Sequence, residues 1–329
     1  MQQTKKTLKG RIFSSSSFRG LISIALIVAL LWNIDRSELA AAFSTVSAAA
    51  FLVLVLIDLM LRLLSAYRWH VLFVGLHRSS PIMEIIRISF VASFLGQALP
   101  GVIGVEALRI YGLAKASSDA AAAFASVVAD RIFGLLSLVL VIFAGLIIGP
   151  QDLQKMVLVP AVVSLIILFA VVFLLMNPHS RRWSLNLMPK ALREKVRHWI
   201  SDVFSCLDRY KNQPGVLSYS LVLSILFQVL RVALFYSAAL VLGESPSFVF
   251  FLALVPIVMF AALLPISIGG LGVREASLVV LFSQFDVMDS AQTFIVAILV
   301  FISGLTSLIP GAWLYIAQRK EIRKMADQV

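Results

Sequence analysis

Two short stretches of the chain place helix-breaking residues directly before a glutamate and an arginine. The stretch LPGVIGVEALR at 99–109 holds Pro100, Gly101, Gly104, Glu106 and Arg109. The stretch LPISIGGLGVREAS at 264–277 holds Gly269, Gly270, Gly272, Arg274 and Glu275. Proline ends a helix and glycine permits a turn, so each stretch predicts a half-helix that begins with unsatisfied backbone N–H groups. Such a helix start beside an arginine suits an anion, above all a phosphate.

The glutamates of these stretches have several roles open to them. Each could balance the arginine, contact an amine or carry a proton. A plainer interpretation is that both stretches are surface loops, with Glu106 and Arg109 forming an i,i+3 pair in the headgroup zone.

Three more charged residues, Asp130, Arg131 and Arg231, lie inside apolar runs. A charge at such a position is a functional hypothesis by default, because burying it in lipid is costly. Asp130 and Arg131 follow an alanine-rich segment, where small residues let helices approach closely. Each arginine could line a substrate path or tie helices together, and Arg231 could pair with Glu106 or Glu275. The sequence leaves these roles open. Asp58 and Arg62, four residues apart in another apolar run, share a helix face and could form a structural pair or line a substrate path.

The composition is that of a membrane protein. Hydrophobic residues make up 60% and charged residues 14% of the 329 residues, whereas soluble domains carry about 25% charged residues. We predict an all-α polytopic membrane protein with about six full spans. The runs interpreted as full spans are 20–34, 42–66, 119–149, 156–176, 216–242 and 292–317.

The distribution of lysine and arginine predicts the topology, because these residues mark the cytoplasmic side. Both termini, and the segment 67–80 with Arg68, are predicted to be cytoplasmic. Residues 81–118 and 247–285 must then each enter and leave on one face, as broken or re-entrant helical hairpins from opposite faces. Inverted repeats with broken helices hold the substrate site in many transporters.

We therefore predict one integral membrane domain over 1–329. Its parts are a cytoplasmic N-terminus (1–19), a first half (20–176), a cytoplasmic basic amphipathic linker on the inner leaflet (177–215), a second half (216–317) and a cytoplasmic tail (318–329). The net charge of +11 predicts contact with anionic lipid rather than nucleic acid. The single cysteine, Cys206, and the lack of a Cys/His cluster with metal spacing predict no metal and no cofactor.

Four parts of the sequence resemble a known family: the stretch from Pro100 to Arg109, the pair Asp130-Arg131, the stretch from Pro265 to Glu275 and the pair Arg68-Trp69 after the second span. The family is the transmembrane flippase-like domain attached to lysylphosphatidylglycerol synthases, and the resemblance covers about 20–317. In bifunctional members a soluble domain transfers an amino acid to phosphatidylglycerol and the membrane domain moves the product lipid outward. Asp130 is a departure, since the family's pattern has a Glu-Arg pair there. No synthase domain accompanies these residues up to Val329, so the resemblance implies a stand-alone, non-enzymatic member.

The preferred function is a lipid flippase of the bacterial inner membrane, which moves a phospholipid or a related anionic or aminoacylated lipid through a central polar site. The alternatives are a proton-coupled transporter of a small anion, a membrane-bound transferase that acts on lipid-linked substrates, and a non-transporting partner of a lipid-modifying enzyme. The expected partners are membrane phospholipid and a separately encoded lipid-synthesising enzyme, and a homo-oligomer is compatible with the sequence. No GxxxxGK[ST] motif occurs, so movement would be downhill, proton-coupled or driven by a partner.

Overall fold

The structure is a computed structural model that describes residues 46–97, 102–177, 190–263, 267 and 270–326. These residues are helical apart from short turns, and no strand occurs among them. The helices are α1 (Ala48–Val74), α2 (Ile82–Gly96), α3 (Val102–Ser117), α4 (Ala120–Ile148), α5 (Gln151–Met176), α6 (Lys190–Arg209), α7 (Pro214–Val241), α8 (Phe248–Leu263), α9 (Val273–Gln284), α10 (Ser290–Thr306) and α11 (Ile309–Ala326). The predicted all-α class is confirmed for this part of the chain.

Four helical stretches of the described residues are long and apolar enough to cross a membrane. They are α1, α4, α7 and the stretch Ser290–Ala317. At about 1.5 Å per residue, each extends about 40 Å, more than the hydrocarbon core of about 30 Å. They coincide with four of the six predicted spans. The predicted span 20–34 lies outside the described residues, and the one at 156–176 falls in α5, so the total of six stays a prediction.

Helix α1 extends further than predicted, and this changes the position of Arg68. The predicted span ended at residue 66, but the helix continues to Val74 because the apolar residues Trp69, Leu72 and Phe73 are fully buried. Arg68 lies inside this helix and is 5% exposed. The helix therefore extends eight residues beyond the predicted span, and the cytoplasmic position of 67–80 stays a prediction.

The run predicted as one span at 292–317 is interrupted. Helix α10 ends at Thr306, and α11 begins at Ile309 after a turn at 307–308. Pro310 explains the break, since a proline lacks an N–H group and its ring clashes with the carbonyl four residues earlier, which belongs to Thr306. The two helices still form one stretch long enough to cross.

Each predicted hairpin range contains two helices that pack against each other, α2 with α3 and α8 with α9. The first pair is very close at Gly96, where an added Cβ would lie 2.2 Å from Val105 Cγ2. Only a glycine fits there. That the two hairpins enter from opposite faces as an inverted repeat stays a prediction.

Helix α6 packs on the protein. Its Val203 and Cys206 are buried, and Trp199 meets the ring of Phe124 edge-on at 5.1 Å. Beyond the helix, the Tyr210 hydroxyl donates to the Leu72 carbonyl at 2.7 Å. Burial raises the pKa of both the Cys206 thiol and the Tyr210 hydroxyl. The start of α4 covers this side of α6, and the position of the helix at 190–211 on the inner leaflet stays a prediction.

Two apolar cores meet along α4. The first, here the hairpin-1 core, joins Ala121–Ala129 of α4 to Trp69 and its neighbours on α1, to α2, α3 and α6. The second, the hairpin-2 core, joins Leu138–Leu146 of α4 to α7, α8, α9 and α10. Between them α4 presents the buried polar residues Asp130 and Ser137. Each hairpin thus belongs to one core, and a polar layer separates the two.

Candidate functional site

Asp130 is the centre of a buried ion cluster at which three helices meet. Its carboxylate on α4 accepts hydrogen bonds from Arg68 Nε of α1 at 2.7 Å and from Arg109 Nη1 of α3 at 3.1 Å. All three side chains are at most 7% exposed. Arg68 also donates to the Ser224 hydroxyl of α7 at 3.1 Å. Because a buried charge needs a partner, this one carboxylate holds two arginines, and with them α1 and α3, against α4.

Glu106 forms the second acidic centre of the cluster. Its carboxylate accepts from Arg109 Nη1 at 3.3 Å and from Arg131 Nη2 of α4. The i,i+3 pair expected of a surface loop is therefore present, but it belongs to a network that links α3 with α4. The Arg131 side chain is 43% exposed, so the cluster is open on this side.

Arg109 has donors that no acceptor uses. Its guanidinium lies 4.1 Å from the Trp69 ring centroid, and the Trp69 indole N–H donates to the Ser126 hydroxyl at 3.0 Å. Its Nε and Nη2 atoms are buried and have no hydrogen-bond partner among the described residues, and the same holds for Arg131 Nε. Native proteins pair nearly all buried donors. These N–H groups therefore form a site that an external acceptor would complete.

Arg231 lies deep inside α7, about 25 Å from the helix start and about 15 Å from its end at 1.5 Å per residue. Its Nη1 is 3.5 Å from Gln228 Oε1, and its guanidinium lies 4.5 Å from the Phe227 ring centroid. Within the described part of the chain, no carboxylate is at ion-pair distance from it. The expected pairing with Glu106 or Glu275 is not found there, so the charge of Arg231 is uncompensated locally.

The second broken stretch has its own carboxylate at the helix start. Gly270 and Gly272 have φ values of 81° and 82°, a left-handed conformation that favours glycine. Glu275 caps α9 by accepting from the Gly272 backbone N–H at 2.7 Å, and it also accepts from Arg274 Nη2 at 2.5 Å. Glu275 is 4% exposed. The Glu275 carboxylate therefore occupies the helix start that the sequence suggested for an external anion.

A further ion pair ties α1 to the turn between α10 and α11. Asp58 and Arg62, four residues apart on α1, pair at 3.0 Å. Arg62 Nη2 donates to the Gly304 carbonyl at 2.9 Å, and the Ser307 hydroxyl contacts both charged partners. Arg62 thus supplies the counter-charge of Asp58, and the Ser307 hydroxyl donates a hydrogen bond to the Asp58 carboxylate.

Arg231 connects these groups. Its charge is repelled by those of Arg68, Arg131 and Arg274 and attracted by that of Asp58, so it lies near the ion cluster, the second broken stretch and the α1 pair. We call the ten residues the central charged set: Asp58, Arg62, Arg68, Glu106, Arg109, Asp130, Arg131, Arg231, Arg274 and Glu275. Six arginines against four carboxylates leave a formal charge of +2. The set can therefore attract an anion and hydrogen-bond its oxygens.

The structure brings together four of the predicted site residues, Glu106, Arg109, Asp130 and Arg131. Gly104 lies in the first turn of α3. Pro100, Gly101 and Gly269 lie outside the described residues. Arg274 and Glu275 pair with each other.

Sequence reasoning did not assign Arg68 and Trp69 to the site, although both contact its central residues. The usable signal was the apolar residues Leu72 and Phe73, which continue the helix beyond Arg68. In the part of the chain that the structure describes, no group of three or more His, Cys, Asp or Glu side chains is placed to bind a metal ion.

Comparison with known proteins identifies the family. A family model described as the lysylphosphatidylglycerol synthase TM region matches residues 17–312. This match confirms the resemblance seen in the two broken stretches. A comparison with curated proteins found no match.

Proposed function

Since the chain belongs to the lysylphosphatidylglycerol synthase transmembrane family, we propose that it translocates a phospholipid across the bacterial inner membrane. The observation that supports this most is the pair of buried Arg109 donors without an acceptor, held in a set with excess positive charge. A headgroup phosphate supplies several acceptor oxygens and negative charge, and arginine binds phosphate in a bidentate fork. The acyl chains would stay in the surrounding lipid.

The proposed path follows the central charged set. A headgroup would enter beside Arg131, where the cluster is partly exposed, and contact Arg109. Arg231 would take the phosphate next, because it interacts electrostatically with both Arg131 and Arg274. The predicted topology has six spans, two cytoplasmic termini and inverted hairpins. In it, these arginines would be successive phosphate-binding positions along a path between the two membrane faces.

Arg231→Gln in reconstituted liposomes is the direct test. Glutamine keeps polarity and approximate length, and it leaves no carboxylate unpaired because Arg231 has no ion-pair partner among the described residues. A charged hydrogen bond contributes about 1.5–3 kcal/mol, so we expect translocation to slow about 10- to 100-fold. Lys155→Gln is the matched control, because the Lys155 side chain is 79% exposed and its ion-pair partner, Asp152, lies outside the central charged set. The readout is the loss of fluorescence when dithionite reaches a tail-labelled lipid.

The result also separates the alternatives. Uptake of a soluble phosphate ester without lipid movement would favour the small-anion transporter. Normal translocation by folded Arg231→Gln would refute the proposed path through Arg231. No transport of lipid or solute by folded wild type, with and without a pH gradient, would favour a non-transporting partner of a lipid enzyme.

A further inference from the structure

The charge pattern points to one class of headgroup, and this inference rests on the proposed function. We infer that the site selects a phosphodiester headgroup with net negative charge and without an ammonium group, such as that of phosphatidylglycerol. It discriminates against zwitterionic and aminoacylated headgroups, although the family's name refers to an aminoacylated lipid.

The first reason is that both acidic centres of the ion cluster are engaged. Asp130 accepts from Arg68 and Arg109 at 2.7 and 3.1 Å. Glu106 accepts from Arg109 and from Arg131. An ammonium that approached either carboxylate would have to displace an arginine and leave that arginine buried without a partner.

The second reason is that the two remaining carboxylates of the set are engaged as well. Glu275 accepts from Arg274 and from the Gly272 backbone N–H. Asp58 accepts from Arg62 and contacts the Ser307 hydroxyl. All four carboxylates of the central charged set therefore have an arginine partner already, and none faces the path as a free counter-charge for an amine.

The third reason is that the unused donors of the central charged set belong to arginines. Among the described residues, Arg109 Nε and Nη2 and Arg131 Nε have no acceptor, and Arg231 Nη1 is 3.5 Å from the amide oxygen of Gln228. A phosphodiester oxygen satisfies these donors. A lysyl group on the same headgroup adds two cationic amines beside a set that already carries a formal +2, and repulsion follows.

The experiment compares three lipids in liposomes that contain the wild-type chain. Phosphatidylglycerol, phosphatidylethanolamine and lysylphosphatidylglycerol carry the same fluorescent acyl label, so the headgroup is the sole variable, and dithionite reports translocation. We expect phosphatidylglycerol to move at least 10-fold faster than lysylphosphatidylglycerol, with phosphatidylethanolamine between them. A parallel arm measures uptake of radiolabelled glycerol phosphate, a soluble phosphate ester without acyl chains.

A charge reversal at Arg231 makes the test specific. Arg231→Glu lowers the formal charge of the set to zero and supplies a free carboxylate, so we expect the rate ratio of phosphatidylglycerol to lysylphosphatidylglycerol to fall at least 10-fold. Arg231→Gln, which removes charge without adding a carboxylate, should lower the ratio less. If Arg231→Glu does not fold, the wild-type comparison and Arg231→Gln decide the matter.

The outcomes distinguish this inference from the proposed function. Equal or faster movement of lysylphosphatidylglycerol in wild type overturns the headgroup inference and leaves lipid translocation standing. A failure to move any of the three lipids, or uptake of glycerol phosphate alone, overturns lipid translocation itself. A ratio above 10 in wild type that falls in Arg231→Glu supports both.

Discussion

Replacing Asp130 with asparagine should destabilise the folded chain more than any other single loss of a carboxylate. The carboxylate is the ion-pair partner that buried Arg68 and Arg109 share, at 2.7 and 3.1 Å. Arg109 keeps Glu106, but Arg68 has no other carboxylate among the described residues. Breaking a buried ion pair by removing one partner costs about 3–5 kcal/mol, since the remaining charge stays buried.

The single cysteine provides the assay. Cys206 is 5% exposed in the folded chain, so a dye that fluoresces on reaction with thiols reports thermal unfolding of detergent-solubilised protein. For a chain of this size about 1 kcal/mol corresponds to about 2 °C, so we expect Asp130→Asn to lower the unfolding temperature by about 6–10 °C. Asp286→Asn is the matched control, because Asp286 is exposed, and its effect should stay within about 1 °C.

A double variant tests the cause. Arg68→Gln together with Asp130→Asn removes both charges of the closest pair, so the combined loss should be clearly smaller than the sum of the two single losses. Additive losses, or an Asp130→Asn protein that unfolds within 2 °C of wild type, would refute the claim that this carboxylate holds the two arginines in place.

Three further predictions concern the frame of the site. Gly272→Ala should lower the unfolding temperature, because φ is 82° there and a residue strained in this way costs about 1–3 kcal/mol. The control is Gly215→Ala, which should be neutral or stabilising because an added Cβ would have no neighbour within 4 Å. Equal effects of the two substitutions would contradict the reasoning. Tyr210→Phe removes the 2.7 Å bond to Leu72 and should cost about 1 kcal/mol, or about 2 °C, while normal stability would show that the bond contributes nothing. Because burial raises the pKa of the Cys206 thiol, its stabilising contribution is complete below the thiol pKa of the unfolded chain and is lost as pH rises through the folded pKa. The unfolding temperature followed by tryptophan fluorescence should therefore fall between about pH 7.5 and 9.5, by more in wild type than in Cys206→Ala, and an identical fall in both proteins would rule out this thiol as the cause.

The sequence predicted those parts of the site that depend on local spacing. The pair of Asp58 and Arg62 follows from four-residue spacing on one helix. Glu106 and Arg109 pair for the same reason. The proximity of Arg109 to Asp130, 21 residues away, follows from the packing of α3 on α4 and is not encoded in any local pattern.

Two contacts, Arg68 with Asp130 and Arg274 with Glu275, show why the rest was not predictable. The sequence predicts Arg68 as a marker of the cytoplasmic side. The pattern of one cation near the end of an apolar run is the same for a residue that anchors a helix in the headgroups and for one that is buried in the protein core. Its partner Asp130 lies 62 residues away. Arg274 and Glu275 are adjacent in the sequence and would normally point apart on a helix. They meet because Glu275 turns back to cap Gly272.

The retained charges are themselves an argument for a ligand. Apolar residues of similar volume can often replace buried ion pairs with no loss of stability, and sometimes with a gain. Stability alone therefore does not require six arginines with four carboxylates on helices that also form two apolar cores. An excess of cationic donors there disfavours the empty state, and an entering phosphate lowers the charge and pairs the free N–H groups of Arg109. Because α2 and α3 belong to the hairpin-1 core and α8 and α9 to the hairpin-2 core, an anion passing from Arg131 by way of Arg231 to Arg274 would contact first one hairpin and then the other. The central charged set is thus suited to bind an anion transiently, as the proposed translocation requires.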